Sequence, residues 1–243
     1  MNHRTEVVMN QERMPSFVGL SEMAGEHAEL AREYLRLLLA AKRREASDLV
    51  VQAVESGVSV KDVYLRVFQP VLYEVGDLWQ RNLVSVAQEH YCTAATQFVM
   101  SLLYPYIFSG KQAGHRFVGC CVGGELHEIG MRMVTDFFEM EGWDTYYMGA
   151  NMPDEDVIRT IIDQKAGLVG ISVTMTFHLH LVGRLILRIR SRPECRDVKI
   201  MVGGYPFLAN HQLWRGVGAH AFAADARQAI EVAGRLLDDG RKP

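Results

Sequence analysis

The segment Gly123-Gly124-Glu125-Leu126-His127-Glu128-Ile129-Gly130 concentrates residue types that can do chemistry. A histidine offers an imidazole nitrogen to a metal ion, and a carboxylate two residues earlier can hold the other ring nitrogen and fix the tautomer. On that reading His127 is a metal ligand and Glu125 its support. The same residues also describe a surface histidine near a helix start, with Gly123 and Gly124 making the turn. The Gly-x-Gly-x-x-Gly spacing of a dinucleotide loop is absent, as is a Walker phosphate loop. Cys92, Cys120, Cys121 and Cys195 form no Cys-x-x-Cys pair, which argues against a disulfide framework and a zinc site. Cys120 and Cys121 read as packed thiols.

The elements that must position this segment follow from a change of period near residue 112. From about Ser21 to Ile107 apolar residues recur three and four apart (Leu30, Tyr34, Leu37, Leu38, Ala41; later Tyr64, Phe68, Val71, Leu72, Val75), the pattern of four or five helices. Breaks are expected at Glu55-Ser56-Gly57, between Gly76 and Asn82, and at Ser109-Gly110, while Pro70 should kink or restart a helix. From His115 onward, short apolar runs (117–122, 145–148, 168–173, 199–202 and 219–223) alternate with helical patterns at 129–140, 154–165, 177–192 and 226–237, plus a shorter one at 209–215. Such alternation implies right-handed crossovers and a parallel sheet, whose ligands bind outside the carboxyl ends of the strands. The expected architecture is therefore α/β: a helical bundle cap over residues 15–110, then a Rossmann-like (flavodoxin-like) domain over 114–240, joined by a linker at 109–114. His127 falls on the carboxyl edge of the first strand.

Composition removes several classes. The chain has 243 residues, 49% apolar and 23% charged, which suits a globular protein with a sizeable core. No run approaches the ~18 apolar residues needed to span a bilayer. The segment Met1 to Ser16 carries Arg4, Glu6, Glu12 and Arg13 without an apolar centre, so it does not read as a secretory signal, and the cytoplasm is expected. Residues 1–110 hold 10 basic against 13 acidic residues and the remainder balances at 16 against 16, so no basic stripe favours direct DNA binding. Arg184, Arg188, Arg190, Arg192 and Arg196 read first as a solvated face and second as a contact for an acidic partner. His178 and His180 lie two apart at a helix start and face different ways, which disfavours joint chelation; they read as a polar helix start or as donors to a ligand edge.

Three motifs carry a resemblance. His127-x-x-Gly130 is followed after 41 residues by Ser172-x-Thr174 and after a further 28 by Gly203-Gly204. This spacing resembles the cobalamin-binding domain of methionine synthase, mutases and corrinoid proteins, whose pattern is Asp-x-His-x-x-Gly, Ser-x-Leu, Gly-Gly. The resemblance implies that His127 is the lower ligand of cobalt, displacing the cofactor's dimethylbenzimidazole into a slot lined by Ser172 and the Gly203-Gly204 turn, with Val173, Thr174 and Tyr205 also binding the cofactor. Leu126, Glu128, Ile129 and Gly130 would complete the site around the ligand. Glu125 stands where the family has Asp and Thr174 where it has Leu, so a Glu125–His127–Ser172 relay would be shifted or looser.

Trp79, nine residues, then Glu89-His90 is similar to the helical cap of MerR-type light-responsive cobalamin regulators. That likeness implies adenosylcobalamin, with Trp79, Glu89 and His90 at its upper face. Those regulators carry a DNA-binding domain ahead of the cap, whereas here only about 20 residues precede the first helix. They also have a histidine directly after the Trp, where this chain has Gln80, so a bis-histidine photoproduct is not expected unless His90 substitutes. The expectation drawn from this resemblance is a non-enzymatic cobalamin light sensor that signals to a partner protein or through homo-oligomerisation. Photocobilins, which add a bilin such as biliverdin, are a close variant, with His178, His180 or His211 near the bilin. The alternatives are a corrinoid methyl carrier of a methyltransferase system and a cobalamin-dependent antirepressor.

Overall fold

The computed structural model describes residues 20, 22–25, 27–108, 110 and 112–238. The start of the expected cap at residues 15–19, the N-terminal segment 1–16 and residues 239–240 lie outside the described residues.

The helical pattern of the first half folds as α1 (Ala28–Leu39), α2 (Arg43–Glu55), α3 (Val60–Asp62), α4 (Gln69–Gln80) and α5 (Val86–Leu103), with a π-helical turn, Val63–Phe68, joining α3 to α4. The periodic positions of α1, including Ala31, Tyr34, Leu37 and Leu38, are the buried ones, as a helix with one apolar face requires. Pro70 takes the second position of α4. Its ring would press on the Arg66 carbonyl of a regular helix, and the widened π turn just before it relieves that contact. The break expected between Gly76 and Asn82 falls at the end of that stretch: α4 continues through Gly76, and the chain turns at Asn82 with φ 57° before Ser85 and Gln88 close a reciprocal cap on α5.

The second half forms β1 (Arg116–Val122), α6 (Ile129–Met140), β2 (Asp144–Met152), α7 (Asp154–Asp163), β3 (Leu168–Ser172), α8 (Leu179–Arg190), β4 (Lys199–Gly203), α9 (Tyr205–Ala209), α10 (Leu213–Gly216), β5 (Ala221–Phe222) and α11 (Ala226–Asp238). The helical pattern expected at 209–215 is instead two short helices flanking Asn210. All strand pairs are parallel, in the order β2-β1-β3-β4-β5, which is the flavodoxin-like order with its switch point between β1 and β3. Alternate residues of β1 serve two layers: Val118, Cys120 and Val122 face the α7 and α8 side, while Phe117 and Cys121 join the layer containing Met131 and Phe138. All four cysteines are free and buried, as packed thiols should be.

The helices of the first half share a core with α6 and α11 of the second. Tyr34, Tyr64, Phe68 and Leu103 of the first half pack in the same cluster as Met133, Phe137 and Ala226. Polar bonds cross the same boundary: Gln97 Nε2 donates to Glu128 at 3.0 Å, Arg132 reaches the Gln97 carbonyl and Ser101, and Tyr104 donates to Glu139 at 2.9 Å. Lys61 also pairs with Glu141. Three of the arginines expected first as a solvated face meet carboxylates of their own chain: Arg184 and Arg188 of α8 pair with buried Asp154, and Arg188 and, just after the helix, Arg192 with Glu155.

One boundary contact makes docking pH-sensitive. The Tyr64 hydroxyl donates to Asp136 at 2.8 Å, and burial pushes the Asp136 carboxyl up to about 6 against the opposing pull of Tyr64 and Arg132. A raised carboxyl stabilises the fold below its unfolded value, and that contribution is lost as pH rises through about 6. At about 1.4 kcal/mol per pKa unit the loss is on the order of 3 kcal/mol. Asp136→Asn keeps an acceptor for Tyr64 without the charge, so its melting temperature should exceed wild type at pH 7.5 and match it near pH 4; an advantage of equal size at both values would refute the assignment.

Candidate functional site

The site forms because three strands end in register. Cys121 of β1 pairs with Ser172 of β3, and Ser172 pairs with Gly203 of β4, so the loops that follow all leave the sheet along one edge. Gly123 and Gly124 turn the chain back at once, with the Glu125 amide donating to the Val122 carbonyl at 3.0 Å and Gly124 at φ +79°. Asn151, itself left-handed at φ 52°, fastens this turn from β2: its side chain accepts from the Gly124 amide at 2.7 Å, and its own amide donates to the Glu125 carbonyl at 2.9 Å. Asparagine tolerates that conformation better than most residues.

Glu125 is the hub. Its side chain is fully buried, and both oxygens are occupied. Oε1 accepts from the His127 amide at 3.1 Å and from His127 Nδ1 at 2.5 Å. Oε2 accepts from the amides of Thr174 at 2.8 Å and Met175 at 3.0 Å, and from His178 Nδ1 at 3.2 Å. Burial would raise this carboxyl, but the bonds from His127, Met175 and Thr174 together outweigh it and hold it well below the usual carboxylate range. His127 is pushed the other way, chiefly by its bond to Glu125, with the charges of Glu125 and Glu89 adding to it.

The His127 side chain stays 54% exposed although its Nδ1 is tied inward, which leaves Nε2 as the nitrogen available to a ligand. Around it Leu126, Met175 and Phe177 expose apolar surface at the same sheet edge. Ser172 is buried at the end of β3, and the bonds to the relay that the family pattern assigns to it are made to Glu125 by Thr174, Met175 and His178. His178 is thus a member of the site rather than a polar helix start, whereas His180 bonds the Phe177 carbonyl. Glu128 points to the cap, accepting from Gln97 and from the Ala150 amide at 3.0 Å. Ile129 and Gly130 open α6, Val173 is buried just beyond β3, and Gly204 and Tyr205 lead from β4 into α9.

Of the cap residues, Trp79 ends α4 and is 43% exposed, while Glu89 and His90 sit in the first turns of α5 bonded to each other at 2.5 Å. His90 is 75% exposed. Among the described residues no group of three or more His, Cys, Asp and Glu side chains is arranged to hold a metal ion. A single buttressed imidazole amid exposed apolar side chains suits a metal that arrives with its other ligands in a flat organic ring, and the residues present fit a corrinoid.

Comparison with known proteins bears on this directly. Residues 115–233 match the family described as B12 binding domain, and residues 30–104 match a second family of the same description. Among curated relatives, the chain is 27% identical over 198 residues to monomethylamine corrinoid protein 1 of Methanosarcina acetivorans, covering 79% of this chain and 89% of that one. It is 28% identical over 196 residues to the dimethylamine corrinoid protein of Methanosarcina barkeri, covering 79% and 84%. The structure of the Methanosarcina barkeri monomethylamine corrinoid protein superposes with a TM-score of 0.77 at 22% identity, over 87% of this chain and 100% of that one, which establishes the shared fold of helices followed by a parallel sheet. No described helix is long and apolar enough to cross a membrane.

The sequence reading missed Asn151, for which the Asn-Met-Pro stretch at the end of β2 was an available turn signal. It weighed His178 as a polar helix start or as a donor to a ligand edge, but no local signal points it to Glu125.

Proposed function

We propose that this protein is a corrinoid carrier of a methyltransferase system, the partner that brings or takes a methyl group being a separate methyltransferase. It would act as a carrier and not itself as the catalyst. The observation that carries the reading is the His127 imidazole, with Nδ1 bonded to a buried carboxylate and the ring exposed at the switch point of a B12 binding domain. When bound, the cofactor supplies a cobalt centre that accepts and gives up a methyl group. His127 would ligate from below, Glu125 would hold its Nδ1 proton in place, and Ser172 with Gly203 and Gly204 would line the slot for the displaced base. Trp79, Glu89 and His90 would face the opposite side from the cap. The names of the relatives, which are corrinoid proteins matched over most of their length, support a carrier ahead of a light sensor. Neither adenosylcobalamin nor biliverdin is part of this proposal.

The test is reconstitution in darkness with hydroxocobalamin or methylcobalamin, desalting, and visible spectroscopy beside His127→Ala. Wild type is expected to retain cofactor with the benzimidazole displaced by histidine, and His127→Ala to bind at least about tenfold more weakly with an unligated lower face. Failure of wild type to retain a corrinoid ends the reading. Dark demethylation of the methylcobalamin form by a methyltransferase supports the carrier; a green-light change in size of the adenosylcobalamin form, without any such demethylation, transfers the case to the sensor.

A further inference from the structure

Glu125 is shared between two imidazoles, one on each oxygen. His127 Nδ1 takes Oε1 and His178 Nδ1 takes Oε2. A carboxylate offers about four lone-pair sites, and here five donors converge on it, so the orientation of its plane is dictated by what surrounds it. His178 is the side-chain member of the far set and is itself fixed from several directions. It closes a 3-10 turn, Thr176–His178, ahead of α8, and its side chain is only 13% exposed. The Phe177 ring meets it edge-on at 4.3 Å between centroids. On the opposite side it fills the space above Gly124, where an added Cβ would lie 3.1 Å from His178 Nε2. Because Nδ1 faces a carboxylate acceptor, the ring carries its proton there.

We propose that His178 is a positioning residue for the cobalt ligand: by holding the far oxygen of Glu125 it sets the carboxylate plane that aims His127. The inference rests on the carrier site described above and adds a residue that none of the three motifs contains. It also accounts for the glutamate. The extra methylene relative to aspartate is what lets one carboxylate reach the amides of Thr174 and Met175 and the His178 ring while still holding His127.

The experiment loads the full chain with hydroxocobalamin and compares wild type, His178→Ala, His178→Gln and Gly124→Ala. Three quantities are read: the dissociation constant, the visible spectrum, and, after reduction to Co(II), the nitrogen superhyperfine splitting that reports an axial imidazole. His178→Ala should weaken binding about tenfold, the usual scale for losing a group behind a metal ligand, and reduce the fraction showing the axial-nitrogen splitting. His178→Gln, which restores an N–H donor, should recover part of both. Gly124→Ala, which crowds the ring at Nε2 and strains a backbone at φ +79°, should move both in the same direction as His178→Ala and covers the case in which that variant does not fold. Wild-type affinity and undiminished splitting in His178→Ala, or in Gly124→Ala where the former is unfolded, overturn the proposal while leaving the carrier reading intact. A wild-type chain without axial nitrogen, or one indistinguishable from His127→Ala, overturns both.

Discussion

Glu125→Ala is expected to be the most damaging single substitution at the site, measurable on the cofactor-free protein as a melting temperature lowered by at least about 10 °C. The alanine removes a fully buried acceptor and strands the amides of His127, Thr174 and Met175 together with the His178 ring. Each buried donor left without a partner costs ~1–3 kcal/mol, so even with partial relaxation the sum is at least about 4 kcal/mol. In a chain of this length a kilocalorie corresponds to roughly 2–4 °C. Glu125→Asp separates two roles. Aspartate can still reach His127 two residues on, but it falls short of the loop after β3, so it should lose about half the stability lost by alanine while His127 stays buttressed. Equal melting temperatures for wild type and both variants would mean that water or a rearranged loop satisfies those amides and that Glu125 is not the hub.

How far the sequence reached, and where it stopped, follows the range of the interactions involved. The helical face of α1, the restart at Pro70 and the five strands were legible because each is dictated by residues within one turn or one strand. The three motifs lay side by side for a related reason: each follows a strand, and the strands of a parallel sheet end together, as the Cys121–Ser172–Gly203 register shows. His178 was out of reach because its partner lies 53 residues away and is met only through the length of the Glu125 side chain. Asn151 fastens a loop 27 residues back, again across two strands. Gly119 and Gly170 are paired across β1 and β3 and carry no motif of their own. A Cβ on Gly170 would lie 2.6 Å from the Phe117 ring, and one on Gly119 would lie 2.9 Å from Met131 Sδ. Such needs are set by facing layers and leave no trace in local spacing. The Trp79, Glu89 and His90 motif was legible as residues, and the structure places it on α4 and α5, but a motif does not say which chemistry those helices serve.

Gly203 and Gly204 are adjacent in one motif yet should respond very differently to the same substitution. Gly204 sits at φ +107° and ψ 176°, a region essentially closed to L side chains, and a Cβ there would lie 1.9 Å from the Val173 carbonyl oxygen, which belongs to backbone and cannot swing aside. Gly204→Ala must therefore shift either β4 or the segment after β3, at a cost of at least about 3 kcal/mol, since the backbone strain alone costs ~1–3 kcal/mol before the overlap is counted. That loss should appear as a lower urea midpoint in the cofactor-free protein. At Gly203 the backbone is ordinary and the nearest obstacle to a Cβ is the Ala223 carbonyl at 3.3 Å, a contact relieved by a few tenths of an ångström. Gly203→Ala should cost about 1 kcal/mol in the same measurement, the low end of what small-to-large changes in a packed site cost. Its effect belongs to the slot: a methyl group added beside Ser172 narrows the space proposed for the displaced base and should weaken corrinoid binding in a protein that otherwise stays close to wild type in stability. If the two alanine variants instead unfold at the same urea concentration, the left-handed turn after β4 is not the constraint described, and the two glycines share one role.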